Sequence, residues 1–189
     1  MTREQALELI KHNSEENDMN HYLESEAVMK ELAGKLGEDE EYWAMLGLLH
    51  DVDWSLTKEK VETHLTKASE ILKGAGFDND FIETVLSHGY GFEEIPHMKD
   101  KKRTEKVQHA LAASETVTGL IHAYALMRGK KINDMEAKGL MKKFKDKAFA
   151  AKVDREIIRE CENLGLSLNE FFEIAIEGIR NIKGDVGLE

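Results

Sequence analysis

Apolar residues recur at three- and four-residue spacing along almost the whole chain, while the Val/Ile/Thr alternation of a half-buried strand is scarce. Ala, Leu, Glu, Lys and Met dominate and Pro96 is the single proline, so the pattern predicts an all-α fold. Thr2 is placed to cap a first helix carrying Ala6, Leu7 and Ile10. A second helix is expected from about Asp18 to Leu36, closed by Gly37, and a third from about Glu40 to Asp51. Asp53 to Val61 reads as a loop. Helical pattern resumes with His64, Ala68, Ile71 and Leu72 and stops at Gly74-Ala-Gly76. A short helix starts at Asp78-Asn-Asp and leads to His88, and Gly89 to Lys102 reads as a long loop. Such a loop inside a compact domain is uncommon and tends to serve function. A long apolar helix follows from Thr104 to about Met127. Further helices are expected from Asn133 or Asp134, over Ala148–Leu164, and over Ser167–Ile182, the last with Ser167 and Glu170 as a capping box.

At 189 residues the chain suits one domain with a substantial core, and no linker, repeat or low-complexity stretch divides it. The expectation is a single helical domain over 1–189, with a motif-bearing core at about 18–127 and a C-terminal helical layer at about 133–183. Phe144, Phe149, Ile157, Leu164, Phe171, Phe172 and Ile176 would pack that layer, part of which could form a homodimer face. No apolar run approaches the ~18 residues of a membrane span. The N-terminus lacks the apolar stretch of a signal peptide, and Cys161 is the sole cysteine, so a cytoplasmic protein is expected. The formal net charge of −11 excludes a general nucleic-acid binder. Lys99-Asp-Lys-Lys-Arg103 is a basic island in this acidic chain and reads first as a solvated loop.

The candidate chemistry begins at Ala44-Met-Leu-Gly-Leu-Leu-His50-Asp51-Val-Asp53-Trp54, an apolar run that ends in an imidazole beside a carboxylate. A buried carboxylate costs several kcal/mol unless it is paired or bound to a cation. Imidazole and carboxylate are also standard ligands for divalent transition metals. His21 falls early on the second helix, His64 at the start of a later one and His88 at the end of another. Helix ends beside loops are where side chains from separate helices converge, as a metal site between helices requires. Spacing alone leaves a ligand role and a surface or core role both open for each histidine. Asp53 reads either as an orienting group behind the ligands or as helix-end solvation. His12, His109 and His122 match no ligand position, and Trp54 is a candidate to stack on a base.

The order His21…His50-Asp51…His64…His88…acidic residue, on an all-helical chain of this size, resembles the HD-domain superfamily of metal-dependent phosphohydrolases. The likeness covers about Asn20 to Met127. It rests on Asn20-His-Tyr-Leu-Glu-Ser-Glu-Ala-Val, on Leu-Gly-Leu-Leu-His-Asp-Val-Asp and on Val85-Leu-Ser-His-Gly. Close members end the ligand set with an Asp before Thr-Gly-Leu-Ile. Here the corresponding stretch is Ala113-Ser114-Glu115-Thr116-Val117-Thr118-Gly119-Leu120-Ile121, so ungapped alignment puts Glu115 at the Asp position and a one-residue gap puts Ser114 there. Val52-Asp53-Trp54-Ser55 lacks the acidic pair of guanosine tetraphosphate hydrolases and the Glu of bacterial 5′-deoxynucleotidases. What remains resembles the small, stand-alone HD hydrolases of HDIG-like type.

The resemblance implies that His21, His50, Asp51 and Glu115 bind one metal. Asp51 would bridge to a second ion held by His64 and His88. The implied cofactor is one or two ions of Mn, Fe, Co, Ni or Zn. His50 and Asp51 would be central to catalysis by a metal-activated water, and the implied partner is a small phosphorylated substrate such as a nucleotide. Lys102, Arg103 and Trp54 are the candidate substrate contacts, the two cations through phosphate. Two other readings stand beside this one. A di-iron enzyme on the same scaffold would activate dioxygen, and a non-catalytic domain would keep the site for ligand binding or assembly, with Glu115 marking its decay.

Overall fold

The computed structural model describes residues 1–11 and 15–189; His12 lies outside the described residues. Among these there is no strand, and the architecture is an all-α HD-type bundle. The helices are α1 (Arg3–Lys11), α2 (Glu16–Leu36), α3 (Glu40–Leu49), α4 (Trp54–Thr57), α5 (Ala68–Gly74), α6 (Asn79–Ser87), α7 (Lys106–Met127), α8 (Ala137–Lys145), α9 (Arg155–Ile158) and α10 (Leu168–Asn181). Their starts follow local chemistry. Asp39 caps α3 by accepting from Tyr42 N at 3.0 Å, and Asp78 caps α6 by accepting from Phe81 N at 2.9 Å. At α10 the Ser167 hydroxyl accepts from Glu170 N while the Glu170 carboxylate accepts from Ser167 N at 2.9 Å.

Helix α2 is the axis of the bundle, packed against α3, α7 and α10. Its middle is buried on every side from Glu24 to Met29, and Tyr22, Leu32 and Ala33 extend the buried face. Two glycines permit that enclosure. A Cβ at Gly47 of α3 would stand 2.5 Å from the Ser25 carbonyl oxygen, and one at Gly178 of α10 would stand 2.7 Å from that of Ala27. Both approaches are closer than any side chain tolerates, so α3 and α10 lie directly on the α2 backbone. The tight α2–α3 contact sets His21 opposite the end of α3, where His50 follows Leu49.

Several boundaries differ from the expectations. The 53–61 stretch contains α4, and a 3-10 turn follows over Val61–Thr63, so His64 precedes α5 rather than opening it. The Lys-rich helix starts at Ala137. The expected helix over 148–164 begins only at Arg155, where the Asp154 carboxylate accepts from Glu156 N and Ile157 N. Upstream, the Arg155 guanidinium takes the carbonyls of Ala150 at 2.7 Å, Val153 at 2.5 Å and Phe149. The Ala150 carbonyl also accepts from Val153 N at 3.0 Å, closing a turn in place of a helical ladder, and the chain turns with Ala150 at φ 44°.

Candidate metal centre

Five of the six expected ligands converge. His21 comes from α2, His50 and Asp51 from the end of α3, His64 from the turn before α5, and His88 from the end of α6. His21, His50 and Asp51 form one group, and Asp51, His64 and His88 another; within each, the ligand atoms lie within 4.8 Å of one another. Asp51 belongs to both. Its Oδ1 is 3.1 Å from the Nε2 of His64 and 3.1 Å from that of His88, and its Oδ2 is 3.5 Å from His50 Nε2. His50 Nε2 is 3.0 Å from His21 Nε2, and His64 Nε2 is 3.3 Å from His88 Nε2.

Behind each ring a second partner fixes its orientation. His50 Nδ1 donates to the Gly47 carbonyl at 2.8 Å, and His88 Nδ1 to that of Val85 at 2.7 Å. His64 Nδ1 faces the Asp53 carboxylate at 3.1 Å. His21 Nδ1 lies 2.9 Å from the Thr118 hydroxyl, which donates its own proton to the Glu115 carbonyl at 2.7 Å and therefore accepts from the ring. With every Nδ1 acting as the donor, the neutral rings turn their Nε2 lone pairs inward towards the Asp51 carboxylate. Nitrogens and a carboxylate crowded at 3.0 to 3.5 Å repel one another unless a cation or a shared proton sits among them. Bonds of ~2.1 Å to a shared divalent ion would place adjacent nitrogens about 3.0–3.4 Å apart. The donor set therefore fits a transition metal on separation, tautomer and outer support.

Proton affinities differ among the rings. Burial pushes the His50 imidazole down to about 3, so it remains a neutral nitrogen donor. Asp51 is buried, which favours its neutral form, yet His50, His64 and His88 together hold it well below the usual carboxylate range. Burial likewise opposes a charge on His64, but Asp51 and Asp53 on its two nitrogens outweigh it and raise it to about 10. Without a metal ion, a proton on His64 is what balances the carboxylate.

Asp53, fully buried, takes the orienting role that was one of its two readings from the sequence. Besides His64 it accepts from Leu65 N at 3.2 Å, Lys67 N at 2.9 Å and Ala68 N at 3.2 Å. These bonds tie α5 to the end of α3 and hold Leu65 at φ 68°, in the left-handed region that disfavours its side chain. The sequence signal was only a second carboxylate two residues after Asp51.

Glu115 faces the centre from α7, with His21, His88 and Asp51 as its charged neighbours, and Ser114 beside it is fully buried. The Glu115 carboxylate stands outside both groups, with Oε2 3.9 Å from His21 Nε2 and Oε1 accepting from the Thr116 hydroxyl at 2.5 Å. Burial pushes its proton affinity up. Trp54 sets its ring edge-on to His64, with centroids 5.1 Å apart, and is half-buried. Lys102 is exposed on its loop.

Arg103, expected as a phosphate contact, has its guanidinium engaged within the protein. Its guanidinium forms a two-pronged ion pair with Glu160 at 2.6 and 2.7 Å, and donates to the carbonyls of Ser87 at 2.8 Å, His88 at 3.2 Å and Tyr90 at 2.8 Å. Buried donors so committed are not available to a ligand; Arg103 instead latches the turn that carries His88.

A family model for the HD domain matches residues 18–116. No curated protein and no solved structure matches the chain. The match begins just before His21, ends just after Glu115 and takes in each of the converging ligands, over more than half of the sequence. The chain belongs to the HD domain family, a superfamily of metal-dependent hydrolases.

Proposed function

We propose that the protein is a metal-dependent phosphohydrolase acting on a small phosphate ester, a nucleotide or a similar compound, through a metal-activated water. The observation that carries this reading is the convergence of four imidazoles on one shared carboxylate, Asp51. His21, His50 and Asp51 would hold one divalent ion and Asp51, His64 and His88 a second, with Glu115 as a further oxygen donor at the rim beside His21. Bound there, such ions would lower the pKa of a coordinated water into the neutral range and polarise a phosphoryl oxygen. The work of the chain is positional. Gly47, Val85, Asp53 and Thr118 orient the four imidazoles, and buried residues of α3, α6 and α7 back the centre on its inner side. Trp54 is placed to stack on a base next to His64.

Protein loaded in turn with Mn(II), Fe(II), Ni(II) or Zn(II) is expected to hydrolyse members of a panel of phosphomonoesters and diesters. Asp51→Asn should lower kcat by more than about 100-fold, since loss of a mere outer partner already costs 10–100-fold. Hydrolysis that persists in Asp51→Asn, or none with any metal, would overturn the reading.

A further inference from the structure

Beyond the matched residues 18–116, the chain reaches the candidate ligands through one run of contacts. The 3-10 segment Arg159–Leu164 packs along α7, anchored by the fully buried Cys161. Next to it, the Glu160 carboxylate accepts two prongs of the Arg103 guanidinium, at 2.6 and 2.7 Å. His109 Nδ1 of α7 lies 2.6 Å from the same carboxylate and helps to hold it. Arg103 is 8% exposed, and its other terminal nitrogen gathers the carbonyls of Ser87, His88 and Tyr90. A helix end leaves such carbonyls without intrahelical donors. One cation therefore closes α6 where His88 leaves it.

The same turn is fixed by a second contact. A Cβ at Gly89 would stand 2.5 Å from Leu65 Cδ1, so the Leu65 side chain occupies the space that only glycine leaves. Leu65 follows His64 and Gly89 follows His88, and the two ligands are thereby interlocked through their neighbours. Both devices act on the Asp51–His64–His88 group. His21 and His50 lean instead on the Thr118 hydroxyl and the Gly47 carbonyl. Among the described residues, no hydrogen bond or ion pair joins Arg103 or Glu160 to either of them. The two halves of the centre share Asp51 but rest on separate supports.

We propose that Arg103 and Glu160 are positioning residues that set how tightly an ion is held by the Asp51–His64–His88 group, and so whether the protein carries one ion or two. The inference rests on the function proposed above and gives the C-terminal layer a part in it. Metal–ligand distances tolerate errors of only about 0.2 Å. Without the guanidinium, the carbonyls of Ser87, His88 and Tyr90 would turn to water and the His88 ring would shift with them. Lysine would not serve in its place. Its ammonium is a single point of charge and does not span a two-pronged carboxylate and three carbonyls together.

The test is titration of metal-free protein with Mn(II), read by elemental analysis and by electron paramagnetic resonance. The wild type is expected to take up two equivalents, with a spectrum that shows coupling between neighbouring ions. In Arg103→Lys and Glu160→Gln the second equivalent should bind at least about tenfold more weakly, the lower end of the range for loss of an outer support. The first equivalent should keep its affinity and give the spectrum of an isolated ion. Arg155→Lys controls for general loosening. Arg155 likewise gathers backbone carbonyls, including those of Phe149, Ala150 and Val153, but in a turn that bears no ligand, and its variant should keep both ions. Wild-type affinity for both ions in Arg103→Lys and Glu160→Gln, equal weakening of the two ions, or the same loss in Arg155→Lys overturns the positioning role. So does a wild type that takes up a single equivalent. A wild type that takes up no Mn overturns the metal centre itself, and the positioning role falls with it.

Discussion

Asp53 collects three backbone N–H groups and one ring nitrogen on a single buried carboxylate, and so places His64 across from Asp51. The convergence of His21, His50-Asp51, His64 and His88 is legible in the sequence, because they carry a family pattern. Of their supports only Asp53 is suggested by it, as one of two readings. Asp53 acts on residues 11 to 15 positions away, and Glu24 meets a histidine 98 positions away. Residue type and spacing do not encode such partners until the helices have packed. The Glu24–His122 pair has a pH signature. Its hydrogen bond to Glu24 raises the His122 value above the ordinary 6.5, against burial and the nearby charge of Lys130. A folded-state value above the unfolded one means that the pair stabilises fully below the unfolded value. That stability is then lost as pH rises through the folded value. NMR titration is expected to place the His122 midpoint above 6.5, and Glu24→Gln to lower it. An unchanged midpoint in the variant would show that the pair is not formed.

At the scale of elements, the periodicity locates α1, α2, α3, α6, α7 and α10 well, because each has one cap and one dominant apolar face or is apolar throughout. It fails where side chains compete for backbone groups. Arg155 draws off the carbonyls before α9, and Asp53 draws off the N–H groups before α5. Nor does the pattern show how closely helices approach. Gly47 reads as an ordinary small residue in an apolar run, yet it is where α3 meets the α2 backbone, and its carbonyl also holds His50. Gly47→Ala is therefore expected to destabilise the fold by about 1–3 kcal/mol, the usual cost of overpacking. Because the clash pushes α3 from α2, metal affinity should fall as well. Chemical denaturation together with metal titration checks both, and wild-type values for both would contradict the close approach. Arg103 belongs at this scale too, since it joins the His88 turn to the 3-10 segment Arg159–Leu164 through Glu160.

The whole molecule is an acidic helical bundle built around α2, and the candidate ligands gather where α2, α3, α6 and the turn before α5 meet. Among the described residues no helix is long and apolar enough to cross a membrane. The C-terminal helix α10 lies against α2 through Gly178, so the helices beyond residue 116 support the element that bears His21. The central claim is that the crowded acceptors exist to hold divalent ions. The direct measurement is metal content by elemental analysis, on protein purified without added metal and again after reconstitution with Mn, Fe, Ni or Zn. The account predicts up to two equivalents per chain in the wild type. Asp51→Ala should lose both, and His64→Ala should lose one while the His21–His50–Asp51 group keeps the other. Wild-type protein that holds no metal under any of these conditions, or Asp51→Ala protein that retains the full complement, would contradict it.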